Sequence, residues 1–178
     1  MLDSKRKFNL AAWEYYKLSN MDLAQEDIVV QLSSAMTCAI LSPAGDSKYR
    51  IMSVLHKDER TKAIDPHYGI LDKLFMGHII KESDVAAYEA DVLTDHQKAR
   101  GEDGSTVLAR ALLEHNILVL SKVYLNITFE SLGKFLNITT EKAERIISDM
   151  VRENRIQAQL DQMTNTIDFE VQIGGKAV

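Results

Sequence analysis

Histidine and cysteine are the side chains that most often bind metals or act in catalysis at neutral pH, and this sequence has five histidines and one cysteine. The histidines are His56, His67, His78, His96 and His115. None has the HExxH or HxH spacing of a metal site, and Cys38 has no partner for a CxxC pair. We therefore expect His56, His78 and His115 to be packed residues with one hydrogen bond each, and Cys38 to be a small core residue.

The nucleophile and glycine-rich motifs of enzymes are also absent from the sequence. It contains no GxSxG and no GxGxxG, and Gly101–Gly104 lacks the Lys-Ser/Thr pair of a phosphate-binding loop. Carboxylates are plentiful, but they lie on polar faces of amphipathic segments, where solvent keeps them ordinary acids. We expect no catalytic residue, no metal and no cofactor, and hence no enzyme.

The composition is that of a folded protein with little attraction for polyphosphates. Of the 178 residues, 46% are hydrophobic and 26% are charged, and the formal net charge is -5. A single cysteine excludes an internal disulfide framework and suggests a reducing compartment. No signal peptide is visible after Lys5–Lys7, and no apolar stretch is long enough to span a bilayer.

The first 99 residues are predicted to form a series of short helices. Apolar residues recur at helical spacing in each helix, and Asp65 before Pro66 is expected to cap one of them. The stripes are Phe8, Ala11, Ala12 and Tyr15; Ile28, Leu32, Ala35, Met36 and Ala39; Tyr49, Met52 and His56; and Tyr68, Leu71, Phe75 and Ile79. Small residues that face aromatic ones across successive helices favour a right-handed, TPR- or HEAT-like helical-repeat segment over residues 1–99.

Residues 106–173 begin with a predicted linker helix and continue with a different pattern. Thr128, after a short extended segment, is expected to cap a compact helix in which Gly133 allows another element to approach. A turn over 137–140 leads to a second helix with an apolar stripe. This is a helix-turn-helix arrangement.

A hairpin is predicted after the second helix. Apolar and polar residues alternate over 156–161 and again over 167–173, which is the pattern of half-buried strands. A helix-turn-helix followed by a hairpin is typical of a winged helix. The predicted fold is therefore mainly α, with a helical-repeat segment, a winged-helix module with a small antiparallel sheet, and a disordered tail at 174–178.

The charge of the second helix bears on its partners, because winged helices commonly place this helix in the major groove of DNA. The helix and its flank carry Lys142, Arg145, Arg152, Arg155, Glu141, Glu144, Asp149 and Glu153, four bases and four acids. From residue 124 onwards, six Lys or Arg are outnumbered by eight Asp or Glu. We expect surface pairs such as Glu141 with Arg145, and nucleic-acid binding is the less favoured alternative.

The hairpin supplies the candidate partner-contact residues. Its outward side chains are Gln157, Gln159, Asp168, Glu170 and Gln172. The edge of a short hairpin has unpaired backbone donors and acceptors, which can extend the sheet of another protein. We expect these residues to contact a neighbouring subunit, and proline at Asp168 or Glu170 to block the pairing.

Several stretches together resemble a known family. They are Arg6–Phe8, Ala11-Ala12, Tyr15-Tyr16, Leu55–Arg60, Tyr68–Lys73, His96–Ala99, Asp103–Ser105, Glu114–Asn116, Asn126–Glu130, Leu132-Gly133, Ala143-Glu144 and Asp161-Gln162. Helical repeats that lead through a long helix into a non-basic winged helix are similar to the PCI domain, which subunits of the proteasome lid, the COP9 signalosome and translation initiation factor three share. Within this family, the chain looks most like a COP9 signalosome subunit.

The resemblance implies a non-catalytic scaffold subunit, cytoplasmic and nuclear, in the complex that removes Nedd8 from cullin-RING ubiquitin ligases. The zinc metalloprotease of that complex resides in a different subunit. The implied partners are other PCI-type subunits and, indirectly, cullin-RING ligases, with no nucleic acid and no membrane; a proteasome-lid subunit is the alternative. Such subunits have further repeats before the first residue and a helix after the hairpin, so we expect a C-terminal fragment.

Overall fold

A computed structural model describes residues 7–95, 97–98, 100–101 and 103–170. The chain forms two compact units, Met1–His115 and Asn116–Val178. The division lies inside the predicted linker helix, which is α6 (Val107–Ser121), rather than in the loop that precedes it.

The first unit is helical in its described part. Its elements are α1 (Phe8–Ser19), α2 (Gln25–Leu41), α3 (Asp46–Lys57), a short 3-10 helix (Glu59–Ala63), α4 (His67–Phe75), α5 (Glu82–Val92) and the first part of α6. The predicted stripes supply its core, since Phe8, Leu32, Met36 and Leu71 are at most 3% exposed. The expected cap at Asp65 is wrong, because Pro66 occupies the N-cap of α4 and no side chain caps this helix.

Arg60 joins the 3-10 helix to the end of α1. Its guanidinium donates to both carboxylate oxygens of Asp58, with Nη2 2.7 Å from Oδ2, and Nη1 donates to the carbonyl oxygen of Ser19 at 3.0 Å. Nη2 also donates to the side chain of Asn20 at 2.8 Å. One planar group therefore ties the last turn of α1 to residues 40 positions further along the chain.

A buried amine secures the turn between α2 and α3. The Nζ atom of Lys48 donates to the carbonyl oxygens of Ile40 at 2.7 Å and Ser42 at 3.0 Å. These carbonyls belong to the last turn of α2 and its C-cap, which have no partner further along the helix. Glu114 of α6 accepts from the amide of Ala44 at 3.3 Å and from Nε of Arg110 at 3.0 Å.

The second unit contains the end of α6 and then a helix-turn-helix with a small sheet. Its further elements are β1 (Asn126–Thr128), α7 (Phe129–Leu136), α8 (Thr140–Arg152), β2 (Ala158–Asp161) and β3 (Thr166–Phe169). Leu132, Ile146, Ile147 and Ile167 are fully buried. The predicted fold, mainly α with a winged-helix module, is confirmed.

Candidate functional site

Two threonine caps and one glycine build the helix-turn-helix. The hydroxyl of Thr128 accepts from the amide of Ser131 at 3.1 Å, as predicted, and the hydroxyl of Thr139 accepts from the amide of Lys142 at 3.2 Å. Between the helices, Asn137 is left-handed with φ of 55°. The prediction that Gly133 allows a close approach is confirmed, because a Cβ atom there would meet the turn backbone at 3.0 Å.

The sheet behind these helices has the strand order β1-β3-β2. Both pairings are antiparallel, and they place Asp168 opposite Asn126 on one side and opposite Gln159 on the other. The strand that comes last in the chain is therefore central, and β1 and β2 lie at the edges of this three-stranded sheet.

Side chains alternate across the hairpin as the sequence predicts. Ile167 and Phe169 are buried, whereas the four described partner-contact candidates, Gln157, Gln159, Asp168 and Glu170, are exposed. Gln172, the fifth candidate, lies outside the described residues, as do Val171 and Ile173 of the predicted strand and the tail at 174–178. The four described side chains are thus on the polar side of the module, where a partner can reach them.

The backbone of β2 has one paired and one open side. The amide of Glu170 donates to the carbonyl of Gln157 at 3.1 Å, which makes these two residues a hydrogen-bonded pair. Hydrogen-bonded pairs recur at every second residue of an antiparallel ladder, so Gln159 and Asp161 also direct their backbone groups towards β3. The amides and carbonyls of Ala158 and Leu160 therefore face away from β3, along the edge of the sheet.

This geometry changes what the candidate residues can contribute. Asp168 lies on the central strand between two neighbours, so its backbone cannot join the strand of a partner. Proline at this position would instead disrupt the pairing of β3 within the module. Gln157 and Gln159 flank the edge positions, and the backbone groups that an incoming strand would meet belong to Ala158 and Leu160.

Two ion pairs lie in the last turns of α8 and directly after it. Nη2 of Arg152 is 2.6 Å from Oδ1 of Asp149, and Nε of Arg155 is 2.9 Å from Oε2 of Glu153. The expected pair of Glu141 with Arg145 is not formed in the described part of the module. Glu144 instead accepts from Nε2 of Gln162, in the hairpin turn, at 3.1 Å.

Two of the histidines belong to separate packing arrangements. His56 is half-buried, stacks on Phe75 with ring centroids 4.3 Å apart, and places Nε2 2.7 Å from Oδ1 of Asp72. His115 is buried, with Nε2 2.8 Å from the carbonyl oxygen of His78; because a carbonyl can only accept, this nitrogen carries the proton.

The other histidines and the cysteine are scattered. His78 is exposed, so the prediction that it is packed is wrong, whereas Cys38 is 1% exposed in the core. Burial lowers the pKa of His67, whose ring meets Tyr88 edge-on at 5.7 Å. His96 lies outside the described residues.

Neither a group of metal ligands nor a membrane-spanning helix is found among the described residues. No three His, Cys, Asp or Glu side chains of residues 7–95, 97–98, 100–101 and 103–170 are grouped as metal ligands. Over the same ranges, no helix combines the length and apolarity that a membrane span requires.

The edge residues Ala158 and Leu160 were missed by sequence reasoning. Alternation along a strand shows which side chains face solvent, but it carries no information on which strand lies in the middle of a sheet. Asp168 was predicted as a contact residue because its side chain is polar. At an open edge, however, the hydrogen bonds to a partner strand come from backbone amides and carbonyls.

Comparison with known proteins adds the family. The profile of the PCI domain matches residues 85–171. The chain is 43% identical over 171 residues to "COP9 signalosome complex subunit 4" of Drosophila melanogaster, an alignment that covers 96% of this chain and 42% of that relative. The subunits of the same name from Dictyostelium discoideum and Arabidopsis thaliana are 42% and 40% identical, again over 96% of this chain.

The chain spans less than half the length of these relatives, between 42% and 44%. The matched PCI segment begins in α5 and contains the whole described winged helix, from β1 to β3. Sequence similarity and architecture therefore agree, and the chain belongs to the PCI-domain family, within the group of COP9 signalosome subunit 4 proteins.

Proposed function

We propose that this chain is the PCI-containing part of a non-catalytic scaffold subunit of the COP9 signalosome. In this role, it supports assembly of the complex and positions cullin-RING ligases for removal of Nedd8, a reaction carried out by another subunit. The named relatives support the choice of this complex over the proteasome lid. We place the subunit in the cytoplasm and nucleus, which suits a chain with a single, reduced cysteine.

The observation that carries the proposal is the open edge of β2. Two amides and two carbonyls, those of Ala158 and Leu160, face away from β3. An edge of this kind can accept one strand of a neighbouring subunit, and main-chain hydrogen bonds then supply affinity. The exposed side chains of Gln157, Gln159, Asp168 and Glu170, with Gln172, would select which neighbour fits.

The charge of α8 supports protein rather than nucleic acid as the partner. Arg152 and Arg155 are each within 2.9 Å of a carboxylate of this module, so their charges are partly neutralised before any ligand arrives. A phosphate backbone is held by cations that release counterions, and from residue 124 onwards the Asp and Glu residues outnumber the Lys and Arg residues. We expect no duplex binding that strengthens steeply as salt falls from about 200 mM to about 50 mM.

The test is an Ala158→Pro substitution in the full-length subunit. Proline removes the edge amide without touching the ladder between β2 and β3, since Ala158 directs its amide outwards. Ala158→Ser keeps the amide and is the matched control. We expect Ala158→Pro to fold but to co-purify poorly with its PCI-type neighbours, whereas Ala158→Ser assembles normally.

Amide hydrogen exchange provides a second readout that needs no substitution. In the isolated chain, the amides of Ala158 and Leu160 should exchange quickly, while those of Gln159 and Asp161 are protected by β3. In the assembled complex, all four should be protected. Unchanged exchange of Ala158 and Leu160 on assembly, or normal assembly of folded Ala158→Pro, would refute edge pairing.

A further inference from the structure

A second candidate binding surface, a cleft between α4 and α5, lies in the first unit. This open cleft has a volume of about 360 Å³, which is within the roughly 300–1,000 Å³ of typical ligand pockets. Its floor is formed by Ile70 and Tyr88, which are buried, and by the exposed methyl group of Ala87. All the residues that line the cleft belong to the first unit.

The floor of the cleft is held in place by the core. Tyr88 is 2% exposed, and its hydroxyl lies 3.4 Å from the hydroxyl of Thr37 on α2. Its ring also meets His67 edge-on at 5.7 Å. Contacts on two sides fix the ring, so the cleft is preformed rather than opened by rearrangement of this side chain.

A glycine keeps one wall of the cleft open. Gly69 is an exposed residue within α4, and a Cβ atom built there would meet no atom within 4 Å beyond its chain neighbours and the backbone of its own helix. Glycine is a poor residue for a helix, and this one is required neither by a left-handed backbone nor by a close neighbour. The space beside its Cα atom is therefore open, and Gly69 is one of the residues that line the cleft.

The rim of the cleft is negatively charged. Lys73 and Asp84 face each other across it, with Nζ 3.1 Å from Oδ1, so these two charges are paired. Asp65 and Asp91 are exposed on the same rim, and neither has an ion-pair partner in the part of the chain that the structure describes. An apolar floor beneath two unneutralised carboxylates complements a side chain with an aliphatic stem and a cationic head.

We propose that this cleft binds an arginine side chain of another polypeptide. The stem of the arginine packs on Ile70, Ala87 and Tyr88, and its guanidinium donates to Asp65 and Asp91. Arginine fits better than lysine because its planar group offers five donors and can bind two carboxylates at once. The proposal does not depend on edge pairing by the winged helix or on the complex to which the subunit belongs.

The experiment is a ¹H–¹⁵N NMR titration of the isotope-labelled chain with N-acetyl-arginine amide. N-acetyl-citrulline amide, which has the same shape without the charge, is the matched probe. We expect saturable shifts confined to residues around Gly69, Ile70, Ala87 and Asp91 with the arginine compound only. Raising the salt concentration should weaken the binding because it is partly electrostatic.

Three variants locate the binding. Gly69→Leu should fill the cleft and abolish the shifts, while Gly69→Ala tests that a side chain at this position leaves the helix intact. Asp91→Asn removes one rim charge without changing shape and should weaken binding by up to about fivefold, the upper end of the effect of an exposed ion pair.

Several outcomes would overturn the proposal. They are equal shifts with the citrulline compound, shifts that map elsewhere, no localised shifts at the highest soluble concentration, or full binding by a folded Gly69→Leu variant. Larger shifts in the same residues with spermidine would assign the cleft to a free polyamine and would equally refute an arginine side chain as the occupant.

Discussion

A Cβ atom at Gly133 would lie 3.0 Å from the carbonyl oxygen of Ile138, and the amide of Ile138 donates to the carbonyl of Gly133 at 2.9 Å. The turn between α7 and α8 is therefore packed directly on the helix backbone. We expect Gly133→Ala to lower the free energy of unfolding by about 1 kcal/mol, because the clash exceeds the gain in helix propensity.

Gly69→Ala is the matched control for this substitution. Gly69 is also helical but has no neighbour within 4 Å, so alanine there should raise stability by up to about 1 kcal/mol. Urea unfolding followed by circular dichroism measures both changes. If the two substitutions change stability in the same direction, the close approach at Gly133 does not determine the outcome.

The buried amine of Lys48 should make stability depend on pH. Burial lowers the pKa of Lys48 to about 7, although the charge of Glu114 acts in the opposite direction. Below pH 7 both folded and unfolded chains hold the proton. Above it the folded chain loses the proton first, so stability should rise with pH towards the usual lysine value, by at most about 1.4 kcal/mol per pH unit.

Lys48→Met is the test of this dependence. Methionine has a similar length and no titrating group. The increase in the free energy of unfolding that Lys48 causes between about pH 7 and pH 9.5 should therefore be absent from the variant. Urea unfolding at a series of pH values gives the comparison. Arg110 and Asp103 lie near Glu114 and remain in both proteins, so a slope that is unchanged in the variant would show that Lys48 is not its source.

Arg60 should stabilise the first unit through geometry rather than charge alone. Arg60→Lys keeps the charge but cannot donate to Asp58, Ser19 and Asn20 together, so we expect a loss of about 1 kcal/mol after allowance for partial exposure. Lys62→Ala breaks an exposed pair with Glu59 and serves as the control, with no measurable change expected.

The same network predicts an acid effect. The hydrogen bond from Arg60 holds the pKa of Asp58 below its usual value, so its stabilisation is complete above that value and is lost as pH falls through the lowered pKa. In Arg60→Ala, the free energy of unfolding should therefore decrease less steeply between about pH 5 and pH 2. If the variant and the parent protein lose stability equally between these pH values, the hydrogen bond between Arg60 and Asp58 is not the cause.

Thr139 should stabilise α8 through its side-chain cap. Thr139→Ala leaves the amide of Lys142 without the hydroxyl acceptor and should cost about 1 kcal/mol, whereas Thr139→Ser should retain most of the stability. Thermal unfolding of the two variants gives the comparison. Equal melting temperatures would show that solvent replaces the cap.

Local features of the fold were predictable because their causes are local. The cap at Thr128, the close approach at Gly133 and the alternation that buries Ile167 follow from neighbouring residues in the sequence. The packing of Cys38 followed in the same way from the apolar residues beside it.

Features that depend on distant residues were not predictable in this way. No residue next to Lys48 indicates that its amine is buried, and Glu114, which bonds to the same turn, is 70 positions away from Ala44 in the sequence. The central position of β3 depends on which strands meet after folding, and the order of strands in the sequence does not specify this. His78 lies at the end of an apolar stripe, yet its side chain is exposed, and its backbone carbonyl accepts the hydrogen bond from His115.

The position of β3 also has a consequence during synthesis on the ribosome. β1 and β2 both emerge before Thr166–Phe169, the only strand to which either is paired in the described sheet. Until that last strand leaves the exit tunnel, the two earlier ones are without hydrogen-bonded partners, and the core lacks the buried side chains of Ile167 and Phe169. Nascent chains stopped ahead of Thr166 would therefore be natural substrates for chaperones.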